Sequence, residues 1–152
     1  MRALPIVLGL LGISIVGYAF FHKTEVSAPH SIVPTETLLL ADKPLRVAVA
    51  DTDALRAQGL SGSAPLADDE GMLFIFDEDG VYPFWMKDML YSIDIFWLDA
   101  TGSVVHIEKN LSPDTYPQSF TPHSPARYVL EVRAGFADQH DIQIGTRANL
   151  PE

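Results

Sequence analysis

Two short runs of almost uninterrupted apolar residues constrain this chain more than any other feature of its sequence. Residues 71–76 are GMLFIF, and residues 93–98 are IDIFWL. A strand with one face in water alternates polar and apolar side chains, whereas a strand covered on both faces is apolar throughout. We therefore predict that both segments are central strands of a sheet.

Shorter patterns predict the elements around these two strands, because strands show a period of two and turns favour Gly, Asp and Asn. The predicted elements are strands at 45–50, 103–109 and 127–133, a short helix that begins at Asp51 or Thr52 and ends at Gly59, and one or two helical turns at 134–140. The turn sequence at 99–102 predicts a hairpin of residues 93–98 with 103–109, and the alternation in 127–133 predicts a strand with one polar face. Since turns rather than long helices join most neighbours, we predict a mainly β (α+β) fold. It would be a small, mostly antiparallel barrel or sandwich with one or two short helices.

An uncharged hydrophobic stretch from Leu4 to Phe21 precedes this β domain. As a helix its 18 residues would span roughly 27 Å, close to the hydrocarbon thickness of a bilayer. The predicted N-terminal hydrophobic helix is therefore a membrane anchor or an export signal. Residues 26–28 (VSA) resemble a cleavage site, but Pro29 directly after them argues against cleavage, so we favour an uncleaved anchor.

Composition divides the chain into three parts. Residues 1–22 form the anchor or signal segment, residues 23–42 a linker rich in Ser, Thr and Pro, and residues 43–152 the folded domain.

Positive charge at the start of the chain favours an N-terminus inside and a domain outside the cytosol. We expect a protein anchored to the inner membrane with its domain in the periplasm or outside the cell, or a secreted protein if the signal is cleaved.

Charge and cysteine content exclude several classes of partner and site. Beyond residue 30 the chain carries 8 basic and 19 acidic side chains, and it contains no cysteine. Such an acidic surface repels phosphate backbones, so we expect no nucleic acid partner. Disulfides, thiolate metal sites and cysteine nucleophiles are excluded, and no cofactor motif is present.

The pentapeptide 84–88, FWMKD, contains most of the candidate binding residues. If it is extended, Trp85 and Lys87 share one face and Asp88 lies on the other. A tryptophan beside a lysine suits a ligand with both a flat and a polar part. The alternative interpretation makes Trp85 an ordinary core residue and Lys87 a strand-edge residue.

Asp94 interrupts an otherwise apolar strand. A buried carboxylate must find backbone amides, a cation or water, or remain protonated. Asp94 is therefore either a ligand-anchoring or acid/base carboxylate in a cleft, with Lys87 as a candidate partner, or a structural carboxylate near a turn.

Other polar features are less informative. His106 and Glu108 share a strand face, as two metal ligands could, but exposed polar positions explain them better, so we expect no metal site. The segment 112–125 contains four prolines. It is either the rim of a binding site or an extended segment packed over the core.

The order of several motifs resembles the domain of unknown function 192 family of bacteria and archaea. The resemblance covers residues 43–150 and rests on these motifs: Arg56-x-x-Gly59-Leu60, residues 71–74 (GMLF), residues 84–88 (FWMKD), residues 93–95 (IDI), and residues 128–131 (YVLE) followed by Ala134-Gly135. It implies a compact, mostly β domain, often behind an export signal or anchor, with no established activity.

Two functional hypotheses follow from these residues, and a third option is a structural interaction module with no small ligand, which predicts a flat apolar patch instead of a pocket. The first is a membrane-tethered, non-catalytic extracytoplasmic domain that binds a small polar or carbohydrate-like ligand, or a cell-envelope partner, through Trp85, Lys87, Asp88 and Asp94. The second is a hydrolase that uses Asp88 and Asp94 as an acid and base pair. The two carboxylates must lie close together on one side of the sheet for the second hypothesis to hold.

Overall fold

A computed structural model describes residues 29–151, which form nine strands and two short helices. The strands are β1 (Glu36–Leu40), β2 (Lys43–Ala50), β3 (Glu70–Gly80), β4 (Phe84–Trp85), β5 (Ile93–Leu98), β6 (Val104–Leu111), β7 (Ser119–Phe120), β8 (Ala126–Arg133) and β9 (Ala148–Asn149); the helices are α1 (Asp53–Gln58) and α2 (Phe136–Gln139). The predicted N-terminal hydrophobic helix lies outside the described residues. Among the described residues, no helix has the length and hydrophobicity needed to cross a bilayer.

Seven strands form one curled, half-barrel sheet in the order β6-β5-β8-β3-β2-β1-β9, while β4 and β7 form a separate pair. The predicted hairpin of residues 93–98 with the following strand is confirmed as β5 and β6. Within the described chain, β2 and β3 are the one parallel pair of strands, and α1 connects them. The prediction of mostly antiparallel pairing is therefore confirmed. The one parallel pair is joined by a helical connection, as parallel neighbours require.

The curl brings the two ends of the sheet together. Val104, at the start of β6, accepts a hydrogen bond from Gly145 N at 2.8 Å and donates one to Thr146 O at 2.9 Å. These bonds lie just before β9, on the opposite edge of the sheet. They satisfy backbone groups that an open edge would leave unpaired.

The sheet begins within the segment interpreted as a linker. Residues 36–40 pair with β2 along their whole length, and Leu38 and Leu40 are fully buried. Composition alone suggested a tether because this segment follows a Ser- and Pro-rich stretch. The alternation of buried and exposed positions in β1 is typical of an outer strand of the sheet.

Apolar clusters cover both faces of the sheet. The α2-side cluster includes Phe96, Leu130 and Phe136, and the cleft-side cluster includes Phe74 and Trp97. Coverage on both faces explains why β5 is buried at every position, as its apolar sequence predicts.

Strand β8 differs from the expectation of a strand with one polar face. It lies between β3 and β5, so only its terminal arginines reach solvent-exposed partners. Arg127 pairs with Asp79 at 2.7 Å, and Arg133 pairs with Asp68 at 2.9 Å. Glu131, in the middle of the strand, does not reach solvent in this way, and only 5% of its surface is exposed. Glu131 is buried because β8 has a neighbouring strand on each side. Local alternation in the sequence does not encode this strand order.

Candidate functional site

A cleft of about 310 Å³ opens on the face of the sheet opposite α2. Its lining comes from α1 and the loop after it, from β3, and from the chain around β4. We call it the aromatic cleft, because five aromatic residues line it: Phe74, Phe76, Tyr82, Phe84 and Trp85. Such a cleft can enclose the apolar body of a small ligand.

A second, more open hollow adjoins the aromatic cleft. We call it the outer hollow; it measures about 590 Å³ and shares Ala57, Gln58, Ser61 and Trp85 with the cleft. Lys87 and Asp88 line only the outer hollow. The two spaces thus form one groove, apolar at one end and polar at the other.

Trp85 stands between the two spaces with 55% of its surface exposed. Strand β4 holds it by pairing Phe84 with Phe120 and Trp85 with Ser119 of β7. Its neighbour Met86 is buried, so the indole points away from the core. Large exposed aromatic surfaces are costly in water, which makes Trp85 the natural contact for a ligand.

Lys87 and Asp88 lie in a turn and do not continue the extended strand. Asp88 has φ +54°, and the loop after α1 holds both residues through their carbonyls. Ser61 Oγ donates to Lys87 O at 2.9 Å, and Gly62 N donates to Asp88 O at 2.8 Å. The turn explains why Asp88 joins Trp85 and Lys87 at the outer hollow, although a regular strand would have separated them.

Asp94 is not part of this groove. Its side chain is fully buried and accepts three backbone hydrogen bonds, from Asn110 N at 2.8 Å, Gly135 N at 3.2 Å and Ala137 N at 2.8 Å. Its partner Ala137 belongs to the α2-side cluster. Asp94 therefore ties the end of β6 and the start of α2 to β5, which is the structural interpretation of this residue.

This placement removes the basis for an acid and base pair of Asp88 and Asp94. Asp88 is exposed at the outer hollow, while Asp94 points to the opposite side of the sheet. A pair that hydrolyses a glycosidic bond needs its carboxyl groups on either side of one substrate. The hydrolase hypothesis in that form is wrong, because successive side chains of β5 point to opposite faces and Asp94 takes the α2 side.

Glu131 is the carboxyl group that does line the aromatic cleft. Its Oε2 is buried and has no hydrogen-bond partner in the part of the chain that the structure describes. It stands opposite Met72 on β3 and Ile95 on β5, so apolar side chains flank it across the sheet. Burial raises the pKa of Glu131 to about 8 because the charged form is desolvated.

Arg56 closes one side of the cleft from α1. Its guanidinium donates to Asp51 O at 2.8 Å, to Ile75 O at 2.6 Å and to Asp53 Oδ1 at 2.7 Å. It also lies 5.3 Å from the centroid of the Phe76 ring, and that ring stacks on Tyr82. Arg56 is thus largely engaged in holding α1 against the end of β3.

The proline-rich segment 112–125 contacts the strand that carries Trp85. Its strand β7 pairs with β4, and Phe120 packs into the cleft-side cluster. The lining of the two hollows, all of which falls in the described chain, includes no residue of 112–125. The segment therefore matches the interpretation of an extended segment packed over the core.

His106 and Glu108 contact each other, with Nε2 and Oε1 at 3.1 Å, and the His106 ring packs edge-on against His123 at 4.8 Å. Residues 29–151 contain no group of three or more His, Cys, Asp or Glu side chains placed to hold a metal ion. The pair acts as a polar contact at the end of the aromatic packing around Trp97.

Comparison with known proteins identifies the family. The profile of the domain of unknown function 192 family (DUF192), described as "Uncharacterized ACR", matches residues 37–150. The chain belongs to the DUF192 family. No curated protein sequence matches this chain at a significant level. The family match begins at residue 37, within β1, which agrees with the sheet rather than with a domain starting at residue 43.

Two solved structures resemble this DUF192 domain. One is a candidate transcription regulator from Sinorhizobium meliloti 1021, with 29% identity, a TM-score of 0.69, and coverage of 74% of this chain and 89% of the other. The other is a protein of unknown function from Novosphingobium aromaticivorans DSM 12444, with 25% identity, a TM-score of 0.72, and coverage of 83% and 95%. Both support the fold of the DUF192 domain.

The sequence indicated three polar or aromatic residues of the groove in this DUF192 domain but missed its buried carboxyl group. Trp85, Lys87 and Asp88 line the groove, and Glu131 replaces Asp94 as its buried carboxyl group. A signal for Glu131 was available, since residues 129–132 (VLEV) form a mostly apolar run around a single carboxylate. That pattern is the same one that drew attention to Asp94.

Proposed function

We propose that this DUF192 domain is a non-catalytic binding module that takes a small ligand in the groove formed by the aromatic cleft and the outer hollow. The ligand has a flat apolar face and several polar groups, as carbohydrates and related molecules do. The half-exposed indole of Trp85 between the two spaces carries the proposal. A sugar ring can stack on this indole while its hydroxyls reach the polar side chains of the outer hollow.

The polar end of the groove supports such a ligand. Gln58, Lys87 and Asp88 offer an amide, an ammonium and a carboxylate within one hollow. Together they can donate to and accept from hydroxyl groups, which are both donors and acceptors.

The fluorescence of Trp85 tests this proposal directly. The chain has two tryptophans. Trp97 is fully buried and donates to Tyr82 O at 2.9 Å, so Trp85 is the one that a ligand can reach. With a library of neutral saccharides, amino sugars and nucleosides, we expect a bound member to shift the emission of wild type to shorter wavelength. At 100 times its Kd it should also add about 2.7 kcal/mol to the free energy of unfolding.

Two variants provide the controls. Trp85→Ala should lose the spectral shift and weaken binding by at least about tenfold, at a stability cost below about 1 kcal/mol, because the indole is half exposed. Leu90→Ala removes a similarly exposed apolar side chain that lines neither hollow, and should leave binding unchanged. The proposal fails if no library member alters either the emission or the stability of wild type, or if Trp85→Ala binds the ligand as well as wild type does.

We further propose that the module is tethered to the membrane with its groove outside the cytosol. The uncharged stretch 4–21 and the charge at its start support this location. We expect the full chain expressed in bacteria to sediment with membranes after high-salt washing, and a chain lacking residues 1–28 to remain in the supernatant. In spheroplasts of the same cells, added protease should digest the domain. Protection of the domain from protease, or sedimentation without residues 1–28, would refute the tether.

The name of the Sinorhizobium meliloti protein raises a role in transcription as another possibility for the relatives. The acidic composition of this chain argues against direct contact with DNA, because a net charge of -10 repels the phosphate backbone. A ligand-binding role is the function that the groove supports best.

A further inference from the structure

The aromatic cleft contains an acceptor that no group among residues 29–151 satisfies. Oε2 of Glu131 is buried without a hydrogen-bond partner, and the side chain lines the cleft. Buried polar groups in folded proteins nearly always have partners, and leaving one unpaired costs about 1–3 kcal/mol. An unpaired oxygen at the base of an open cleft is therefore placed to accept a hydrogen bond from a ligand.

The surroundings of Glu131 determine which donor suits it. The cleft has aromatic walls, and aromatic ring faces attract cations and repel anions. The protein carries twice as many acidic as basic side chains, so its field attracts cations as well. A positively charged donor would compensate the carboxylate form of Glu131, whereas a neutral donor would leave Glu131 in its uncharged, protonated form.

The ionisable side chains around Glu131 are engaged elsewhere and do not donate to its Oε2. Arg56, from α1, uses its guanidinium on two backbone carbonyls and Asp53, and it forms no ion pair with Glu131. Tyr82, on the wall of the cleft, donates its hydroxyl to Glu78 O at 2.7 Å. The Tyr91 hydroxyl is 2.7 Å from Ser63 Oγ, and burial raises its pKa, with smaller contributions from the charges of Glu131 and Glu70. The flanking strands contribute the apolar Met72 and Ile95.

We propose that Glu131 makes the aromatic cleft selective for organic cations, so that the ligand carries an ammonium group that donates to Oε2 while its apolar part contacts the aromatic walls. This inference rests on the proposed binding function and narrows its ligand to amine-bearing molecules such as amino sugars or aromatic amines. When the cation binds, Glu131 ionises and its proton passes to solvent. The ammonium keeps its own proton, so one proton leaves the protein for each cation bound.

A matched pair of probes tests the inference without knowledge of the natural ligand. Benzylamine is a cation at neutral pH, and benzyl alcohol is its neutral counterpart of nearly the same shape. With binding measured by Trp85 fluorescence and by titration calorimetry, we expect wild type to favour benzylamine by at least about tenfold, which corresponds to about 1.4 kcal/mol. Glu131→Gln keeps the shape of the side chain but cannot carry charge. This variant should bind benzylamine and benzyl alcohol with about equal affinity.

Two measurements on wild type alone keep the inference testable even if Glu131→Gln folds poorly. Affinity for benzylamine should rise by up to about tenfold per pH unit between pH 6 and 8, as Glu131 becomes easier to ionise, while affinity for benzyl alcohol should not rise. Calorimetry in two buffers of different ionisation enthalpy at pH 7 should detect about one proton released per benzylamine bound. Glu78→Gln, which removes an exposed carboxylate that lines neither hollow, should retain both effects.

The outcomes separate this inference from the proposed function. Equal binding of the two probes by wild type, or proton release that persists in folded Glu131→Gln, overturns selection of cations by Glu131 but leaves the binding groove intact. Binding of neither probe, together with failure of the saccharide and nucleoside library, removes the binding function itself and this inference with it.

Discussion

Replacing Asp94 by Ala is expected to lower the free energy of unfolding by about 5 kcal/mol. The substitution removes a buried acceptor of three backbone hydrogen bonds and leaves the amides of Asn110, Gly135 and Ala137 without partners. Hydrogen bonds to charged groups contribute about 1.5–3 kcal/mol each, and unsatisfied buried donors add a cost. Denaturant unfolding monitored by circular dichroism measures the change.

Asp88→Ala is the matched control for Asp94→Ala. Asp88 is the other aspartate that the sequence singled out, and its side chain is exposed at the outer hollow. Because Ala tolerates the φ of +54° at this position less well than Asp does, we expect a loss of about 1 kcal/mol, well below the loss for Asp94→Ala. Similar small losses for both variants would contradict the structural role of Asp94. A large loss for Asp88→Ala alone would reverse the assignment of the two residues.

Glu131→Gln is expected to abolish a large pH dependence of stability. Burial raises the pKa of Glu131 to about 8 from its ordinary value of 4.5. Between these values the folded protein keeps a proton that the unfolded chain has released, so the free energy of unfolding of wild type falls as pH rises. The slope is about 1.4 kcal/mol per pH unit, which amounts to about 3 kcal/mol between pH 5 and 7.5 and about 5 kcal/mol over the whole range.

The difference between variants isolates this contribution. Other carboxylates titrate equally in wild type and in Glu131→Gln, so the difference in free energy of unfolding between the two proteins should change with pH by the amounts given above. Glu78→Gln, at an exposed position, should follow the wild-type curve. Parallel curves for wild type and Glu131→Gln would show that Glu131 has the same pKa in the folded and unfolded states. The prediction would then be wrong.

The sequence predicted most of the local structure because the signals for it are local. The apolar runs identified β3 and β5 as interior strands, the turn at 99–102 identified the hairpin, and Thr52 caps α1 as expected by accepting from Leu55 N. Alternation also identified β8 as a strand. It could not reveal that β8 lies between β3 and β5, because strand order depends on pairing between distant segments.

The candidate site was predictable to a similar extent. Trp85 and Lys87 were recognisable from an unusual run of side-chain types, and both lie at the groove. The difference between Asp94 and Glu131 was not recognisable, since each is a single carboxylate within an apolar strand. Their opposite environments arise from the loops that pack over each face. Amides at the start of α2 donate to Asp94, whereas the neighbouring strands place the apolar Met72 and Ile95 beside Glu131.

By itself the amino-acid sequence determined the class of fold and the family and drew attention to Trp85, because periodicity and side-chain type are properties of short segments. The folded chain determined which buried carboxyl group is satisfied, and which one is left without a partner among the described residues. That distinction depends on which backbone amides come within about 3 Å of each carboxyl oxygen, a distance that only the packing of segments far apart in the chain can set.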